Sequence, residues 1–212
     1  MTPEQLHAKA LADVIIKNLN KRQIDACYCT SIEDAEKEAF SHFTPGCTIA
    51  FGGSMTLNDM GMLTALRHDP HINLIDRSKA STPEEIKKVY HDSLSADYYF
   101  MSTNAITIDG ELVNVDGTGN RVAALMYGPE HVILMVGMNK VALNIDDAID
   151  RIRMSAAPIN CQRLHRDTPC AKTGICGDCL SPDCICSHTV ITRRSSIPGR
   201  IKVILIEEML GY

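Results

Sequence analysis

The chain has 212 residues, 45% hydrophobic and 22% charged, which suits one α/β domain with its own core and is too apolar for a disordered chain. The formal charge is −5, with 14 basic and 21 acidic residues up to position 160 and 7 basic and 5 acidic after it; so acidic a body argues against nucleic acid as a partner, because nucleic-acid binding rests on neutralising phosphates. No apolar run reaches the roughly 18 residues of a membrane span, and the opening MTPEQLHAKALADV lacks the basic-then-apolar order of a secretion signal, so neither membrane nor secretion is expected and the expected setting is cytoplasmic.

Thr2-Pro3-Glu4-Gln5 reads as a capping box that opens a helix, with Leu6, Ala10, Val14 and Ile15 on one face. Asp25 to Thr30 reads as a short strand, and Ser31 as the cap of a helix over Ile32–Phe43. Thr48 to Phe51 is β-branched and aromatic and stops at Gly52-Gly53, the mark of a buried parallel strand feeding a loop. Ser54 or Thr56 then caps a helix expected to run through Leu66. Ile72 to Ile75 is a further strand, and Thr82-Pro83-Glu84-Glu85 repeats the capping logic of the first helix.

Tyr98–Met101, Ala105–Ile108 and Leu112–Val115 are three strand-like runs, the last two joined by Asp109-Gly110, a hairpin turn signal. Asn120–Met126 reads as a helix and His131–Val136 as a buried strand. Asn144 caps a helix with Ile145, Ala148, Ile149 and Ile152 on one face. This alternation predicts a parallel sheet covered on both sides, in a single domain over 1–212. Residues 158–189 break the pattern with three Pro, six Cys and no apolar period. They read as an insertion that something other than a core must organise. Arg200–Ile206 then returns the chain to the sheet as its last strand.

The six cysteines of this insertion are Cys161, Cys170, Cys176, Cys179, Cys184 and Cys186. Cys176-Gly177-Asp178-Cys179 is a C-x-x-C, a spacing that lets two thiolates from one turn reach the same metal. Disulfides are disfavoured in a reducing compartment. Zinc usually takes two paired knuckles, and only one is present. An iron–sulfur cluster accepts four thiolates from an irregular loop and is the leading expectation, 4Fe-4S in type, with zinc as the alternative. The expected ligands are Cys170, Cys176, Cys179 and Cys186, with Cys161 in reserve and Cys184 as a bystander. Cys27, Cys29 and Cys47 read as small hydrophobes beside strands, and His165 and His188 as exposed loop residues.

Three polar segments fall at strand ends, where open α/β sheets gather ligands. Gly52-Gly53-Ser54-Met55-Thr56 offers backbone N–H groups and hydroxyls, Ser102-Thr103-Asn104 adds amide and hydroxyl groups, and Asp116 to Arg121 joins a carboxylate, an amide and a guanidinium. Arg121 is expected to hold a carboxylate or phosphate. Lys140 is either an added cation or a solvated lysine. Glu207 and Glu208 are either bases or surface carboxylates. No G-x-S-x-G nucleophile motif is present.

GGSMT, the stretch STNAITIDGELVNVDGTGNRVAALMYGPEHVILMVGMNKV and the ending IKVILIEEMLGY resemble the lactate-utilisation (LUD) domain family. NCQRLHRDTPCAKTGICGDCLSPDCIC resembles its cysteine-bearing branch. The resemblance implies a Rossmann-like three-layer α/β/α fold of the sugar-phosphate isomerase and CoA-transferase type. It implies a substrate site near Gly53, Ser54, Thr56, Asn104, Asp116, Gly119, Asn120 and Arg121. Some members belong to an iron–sulfur system that oxidises L-lactate, so the implied role is an iron–sulfur oxidoreductase component acting on a small carboxylate or related anion. An electron-transfer protein and further copies of the chain are the partners this role allows. A non-redox isomerase or transferase with structural zinc, and a metal- or redox-sensing module, are the rival readings.

Overall fold

The computed structural model describes residues 1–212. Its centre is made by the two most continuously apolar runs of the chain, β7 (His131–Gly137) and β10 (Ile201–Ile206), which lie side by side and parallel. Both are buried on two faces over most of their length, so each reads as a nearly continuous hydrophobic run, interrupted only by His131 at the start of β7 and Lys202 in β10. The remaining strands of this sheet are β1 (Asp25–Cys29), β2 (Thr48–Phe51), β3 (Asn73–Ile75) and β4 (Tyr98–Met101). The order is β1-β10-β7-β4-β2-β3, and every pairing is parallel. The last strand is therefore inserted between the first and β7.

Side chains alternate across a strand, so two cores form. Val203 and Leu205 join Val132, Leu134 and Val136 under helix α1 (Pro3–Lys21), with its Ala12, Ile15 and Leu19, and under α6 (Asn120–Met126). Ile204 and Ile206 join Ile133 and Met135 on the opposite face, under α2 (Ile32–Phe40), α3 (Met55–Asp59) and α4 (Met62–His68). The result is the expected three-layer α/β/α arrangement. The capping boxes at Thr2/Gln5 and Thr82/Glu85 form as read, the second opening α5 (Pro83–Ser93), and Ser31 and Ser54 cap their helices.

Three local readings change. The helix expected through Leu66 is broken at Gly61, whose φ of 76° ends α3 and starts α4. The helix after Ser31 stops at Phe40, three residues short of the expected end. The runs after β4 leave the main sheet: β5 (Ala105–Thr107), β6 (Leu112–Asp116), β8 (Val141–Ala142) and β9 (His188–Thr192) form a second sheet of order β8-β5-β6-β9. The Asp109-Gly110 turn joins β5 to β6, with Gly110 at φ 89°.

The segment over 158–189 is also more regular than its composition predicts. Helix α7 (Ile145–Arg151), capped by Asn144, runs through a π-helical turn at Ile152–Ala156 into α8 (Ala157–Arg163). Pro158 lacks an N–H and would break a strict α-helix; the wider π turn just before it accommodates the lost bond. A short helix, α9 (Pro169–Thr173), follows. His188–Thr192 then forms β9, antiparallel to β6. Its β-branched Thr189, Val190, Ile191 and Thr192 suit a pleated edge.

Arg200, buried just before β10, donates to the carbonyls of Ala124, Leu125 and Pro129 at 2.7–3.1 Å. These include the orphan carbonyls at the end of α6, where a cation also complements the helix dipole. Arg200→Ala is expected to lower the urea midpoint by an amount equivalent to about 2–3 kcal/mol, with an unchanged slope, because three acceptors lose their donor.

Candidate functional site

The C-terminal ends of β2, β4 and β7 open onto a cavity of about 410 Å³, and loops of the second sheet form its other side. Gly53, Ser54, Asn104, Asp116, Asn120 and Arg121 line it. Thr56 lies behind that wall, fully buried, and reaches the site through Lys140. Gly119 stands apart, with a Cβ there meeting His188 at 3.4 Å. Gly52 permits the approach itself, because a Cβ at that position would sit 2.9 Å from the Tyr99 hydroxyl and 3.0 Å from Cγ of Arg121.

Arg121 is 9% exposed and all five of its N–H groups are committed to the protein. Nε donates to Asp116 (3.1 Å). One terminal nitrogen donates to the Ser102 carbonyl (2.9 Å) and Asn114 Oδ1 (2.7 Å), the other to Asn104 Oδ1 (3.0 Å) and the Val115 carbonyl (3.0 Å). Asp116 also accepts from the Gly119 N–H at 2.7 Å, and Asn104 from the Val115 N–H at 2.9 Å. This corrects the expectation that Arg121 holds a ligand carboxylate. It fixes the strand-end loops, and the cations left to face an anion are Arg77 and Arg163. Arg77 gives one N–H to Tyr90, at 3.1 Å. Arg163 is oriented by Asn160 and by the Tyr212 hydroxyl, at 2.6 Å. Sequence reading missed both because they come from segments far from the three loops.

Lys140 also lines the cavity and is 3% exposed, not solvated. Its Nζ donates to Thr56 Oγ1 at 2.7 Å and to Ser102 Oγ at 3.1 Å. Burial, then Arg151 and Arg121, pull its pKa down to about 7 against the weaker pull of Asp59. Leu210-Gly211 closes over it: Thr56 Oγ1 donates to the Leu210 carbonyl, and a Cβ on Gly211 would lie 2.7 Å from Thr56 Oγ1 and 3.3 Å from Nζ. Glu207 and Glu208 turn elsewhere, toward Tyr28 with Gln5 and toward the start of α2.

The cysteine segment forms another wall. Ile185, between Cys184 and Cys186, lines the cavity with Leu164 and Arg166. The Ser187 N–H donates to the Asp116 carbonyl at 3.1 Å, and a Cβ on Gly117 would lie 3.2 Å from the Ile185 carbonyl oxygen. All nine cysteines are free thiols. Burial pushes Cys161 up to about 11, with the neighbouring thiols of Cys170 and Cys184 adding to it. Burial likewise raises Cys186 to about 12, helped by Cys184, Cys161 and Cys176. The thiols of Cys170, Cys176 and Cys184 are thus near enough to a buried sulfur to act on it. No three His, Cys, Asp or Glu side chains converge as ligands of one ion. The Cys176 N–H donates to the Arg153 carbonyl of the π turn at 3.0 Å, which docks the C-x-x-C on the helix. Cys47 is buried in the core under α2, and Cys27 and Cys29 pack against that core.

A model of the LUD domain matches residues 12–206. The chain belongs to the LUD domain family. The LUD chain is also similar to the crystal structure of a DUF162 family protein from Deinococcus radiodurans, at 12% identity and a TM-score of 0.55, over 94% of this chain and 98% of that one. That likeness is one of fold. No curated protein matches. No helix of the LUD chain is long and apolar enough to cross a membrane.

Two outcomes test this geometry. Arg121→Lys is expected to cost about 3–5 kcal/mol of unfolding free energy, because an ammonium has three donors and strands buried acceptors; chemical denaturation measures it. The depressed pKa of Lys140 means that its stability penalty is full below pH 7 and fades as pH rises from 7 toward the unfolded value near ~10.4. Lys140→Met should therefore raise stability by a few kcal/mol at pH 6 and by almost nothing at pH 10, read from melting curves across that range.

Proposed function

We propose that this LUD protein is an iron–sulfur oxidoreductase component that binds a small carboxylate or related anion in the 410 Å³ cavity. The observation that carries the reading is that one cavity wall is made by the cysteine segment itself, at Ile185, packed against the Asp116-Gly117 loop. A ligand in the cavity and a centre in the cysteine segment would then be neighbours.

The composition of the segment supports such a centre, although its thiols are not drawn together around one point. The segment has more thiols than the four a cluster needs, and backbone N–H groups of Asp178 and Cys186 already point at the sulfurs of Cys176 and Cys184, at 3.4 Å each. Such N–H···S bonds tune cluster potential. Cys170, Cys176, Cys179 and Cys186 are the proposed ligands. When bound, the cluster would supply one-electron transfer. The chain's own residues supply the rest. Arg77 and Arg163 neutralise the ligand's negative charge, Asn104 and Asn120 offer amides, and Lys140 with Ser102 and Thr56 forms a connected path for a proton. An electron-transfer protein is the proposed partner class.

Anaerobic purification, iron and sulfide analysis and visible absorption test the reading. The expected protein is brown, with iron and acid-labile sulfide in equal amounts. Cys179→Ser is expected to lose most of the iron and Cys184→Ser to keep it; the reverse result would move the fourth ligand to Cys184. Colourless protein after anaerobic reconstitution would end the redox reading. Stoichiometric zinc in its place would favour an isomerase- or transferase-type enzyme, for which the buried amine of Lys140 is the supporting observation.

A further inference from the structure

The hydrogen bonds around Lys140 suit an uncharged amine. Thr56 Oγ1 donates its single proton to the Leu210 carbonyl at 3.2 Å, and Ser102 Oγ donates its own to the Thr103 carbonyl at 3.4 Å. Both hydroxyls must therefore accept from Nζ, at 2.7 and 3.1 Å. A neutral amine has two N–H groups, and these two acceptors take both. What remains is the lone pair, on a nitrogen that lines the cavity. The charged form fits less well. Its third proton has no acceptor in the protein, its nearest partners are neutral, and the guanidiniums of Arg151 and Arg121 oppose it more than Asp59 assists it. A buried amine with its lone pair free and its protons held is the arrangement that activates a lysine as a nucleophile.

The same cavity has guanidinium groups at Arg77 and Arg163 that no carboxylate of the chain engages. An anionic group of a ligand would be met there and an electrophilic carbon at Lys140. We propose that Lys140 forms an imine with the carbonyl carbon of a small 2-oxo acid bound in this cavity. This rests on the cavity being a small-anion site and gives that site a substrate class. In the step, the Nζ lone pair forms the C–N bond and the carbonyl π pair moves to oxygen. Both amine protons then leave with that oxygen as water, and the N=C bond forms. Ser102, which lines the cavity and already accepts one of those protons as a hydrogen bond, is placed to pass it to the departing oxygen. No oxidant or reductant is consumed, so the step is independent of the metal content of the cysteine segment.

The test is reductive trapping on the full chain. Protein is incubated with pyruvate or glyoxylate at pH 7.5 and treated with cyanoborohydride. The product is read by intact mass and peptide mapping, and binding of the same acids is measured in parallel by calorimetry. A single reduced adduct at Lys140 is expected, forming about 100-fold faster than on exposed lysines because at this pH far more of the buried amine is unprotonated. Lys140→Arg, which keeps a long basic side chain, and Lys140→Met should both abolish it. The mapped position in the unaltered chain decides the matter even if a variant fails to fold. Binding without an adduct, or adducts spread over surface lysines, would overturn the imine and leave the anion site standing. Absence of both binding and adduct would remove the anion site as well.

Discussion

A guanidinium taken out of water is tolerable only where each of its N–H groups meets an acceptor, and Arg121 satisfies that condition with acceptors from two separate stretches of chain. Ser102 and Asn104 come from the end of β4, Asn114 to Asp116 from β6, and Arg121 itself from the first turn of α6. The main sheet and the small sheet are thereby joined at one point. Gly52 has no side chain because the stem of Arg121 and the Tyr99 hydroxyl occupy that space. The Asp116-Gly117 loop held by Arg121 is the surface on which the cysteine segment rests. The cavity, its second wall and the start of α6 all follow from this one buried cation.

The basic residues around the cavity have separate tasks set by their environments. Arg121 is saturated and stays charged beside Asp116. Lys140 is buried between two hydroxyls with two guanidiniums nearby and tends to lose its proton. Arg77 and Arg163 line the cavity with no carboxylate of the chain engaging them. A lysine in place of Arg121, or an arginine in place of Lys140, would carry the same formal charge and could not do the same work.

Signals that act over a few residues were legible in the sequence. The capping boxes at Thr2 and Thr82, the caps at Ser31 and Asn144, and the Asp109-Gly110 hairpin all depend on local backbone chemistry, and all form. The loops after β2 and β4 were legible because a parallel sheet places its carboxyl ends together, whereas the Asp116–Arg121 loop reaches the same cavity from the second sheet. What escaped reading depends on distant partners. Arg121 looks like a ligand anchor until its five acceptors are seen. Lys140 looks like a surface lysine because its burial comes from Thr56, Ser102 and Gly211, each far away in the chain. The π turn before Pro158 and strand β9 lie in a stretch whose prolines and cysteines mask its regular structure, and β9 is stabilised mainly by pairing with β6.

The position of β10 between β1 and β7 has a consequence for how the molecule is made. β10 follows every cysteine of the cysteine segment, so until it is synthesised the central sheet has a gap between β1 and β7. The thiols emerge before that gap can be filled. Closure of the sheet therefore waits for β10, and interference with it leaves the edges of β1 and β7 open to other chains.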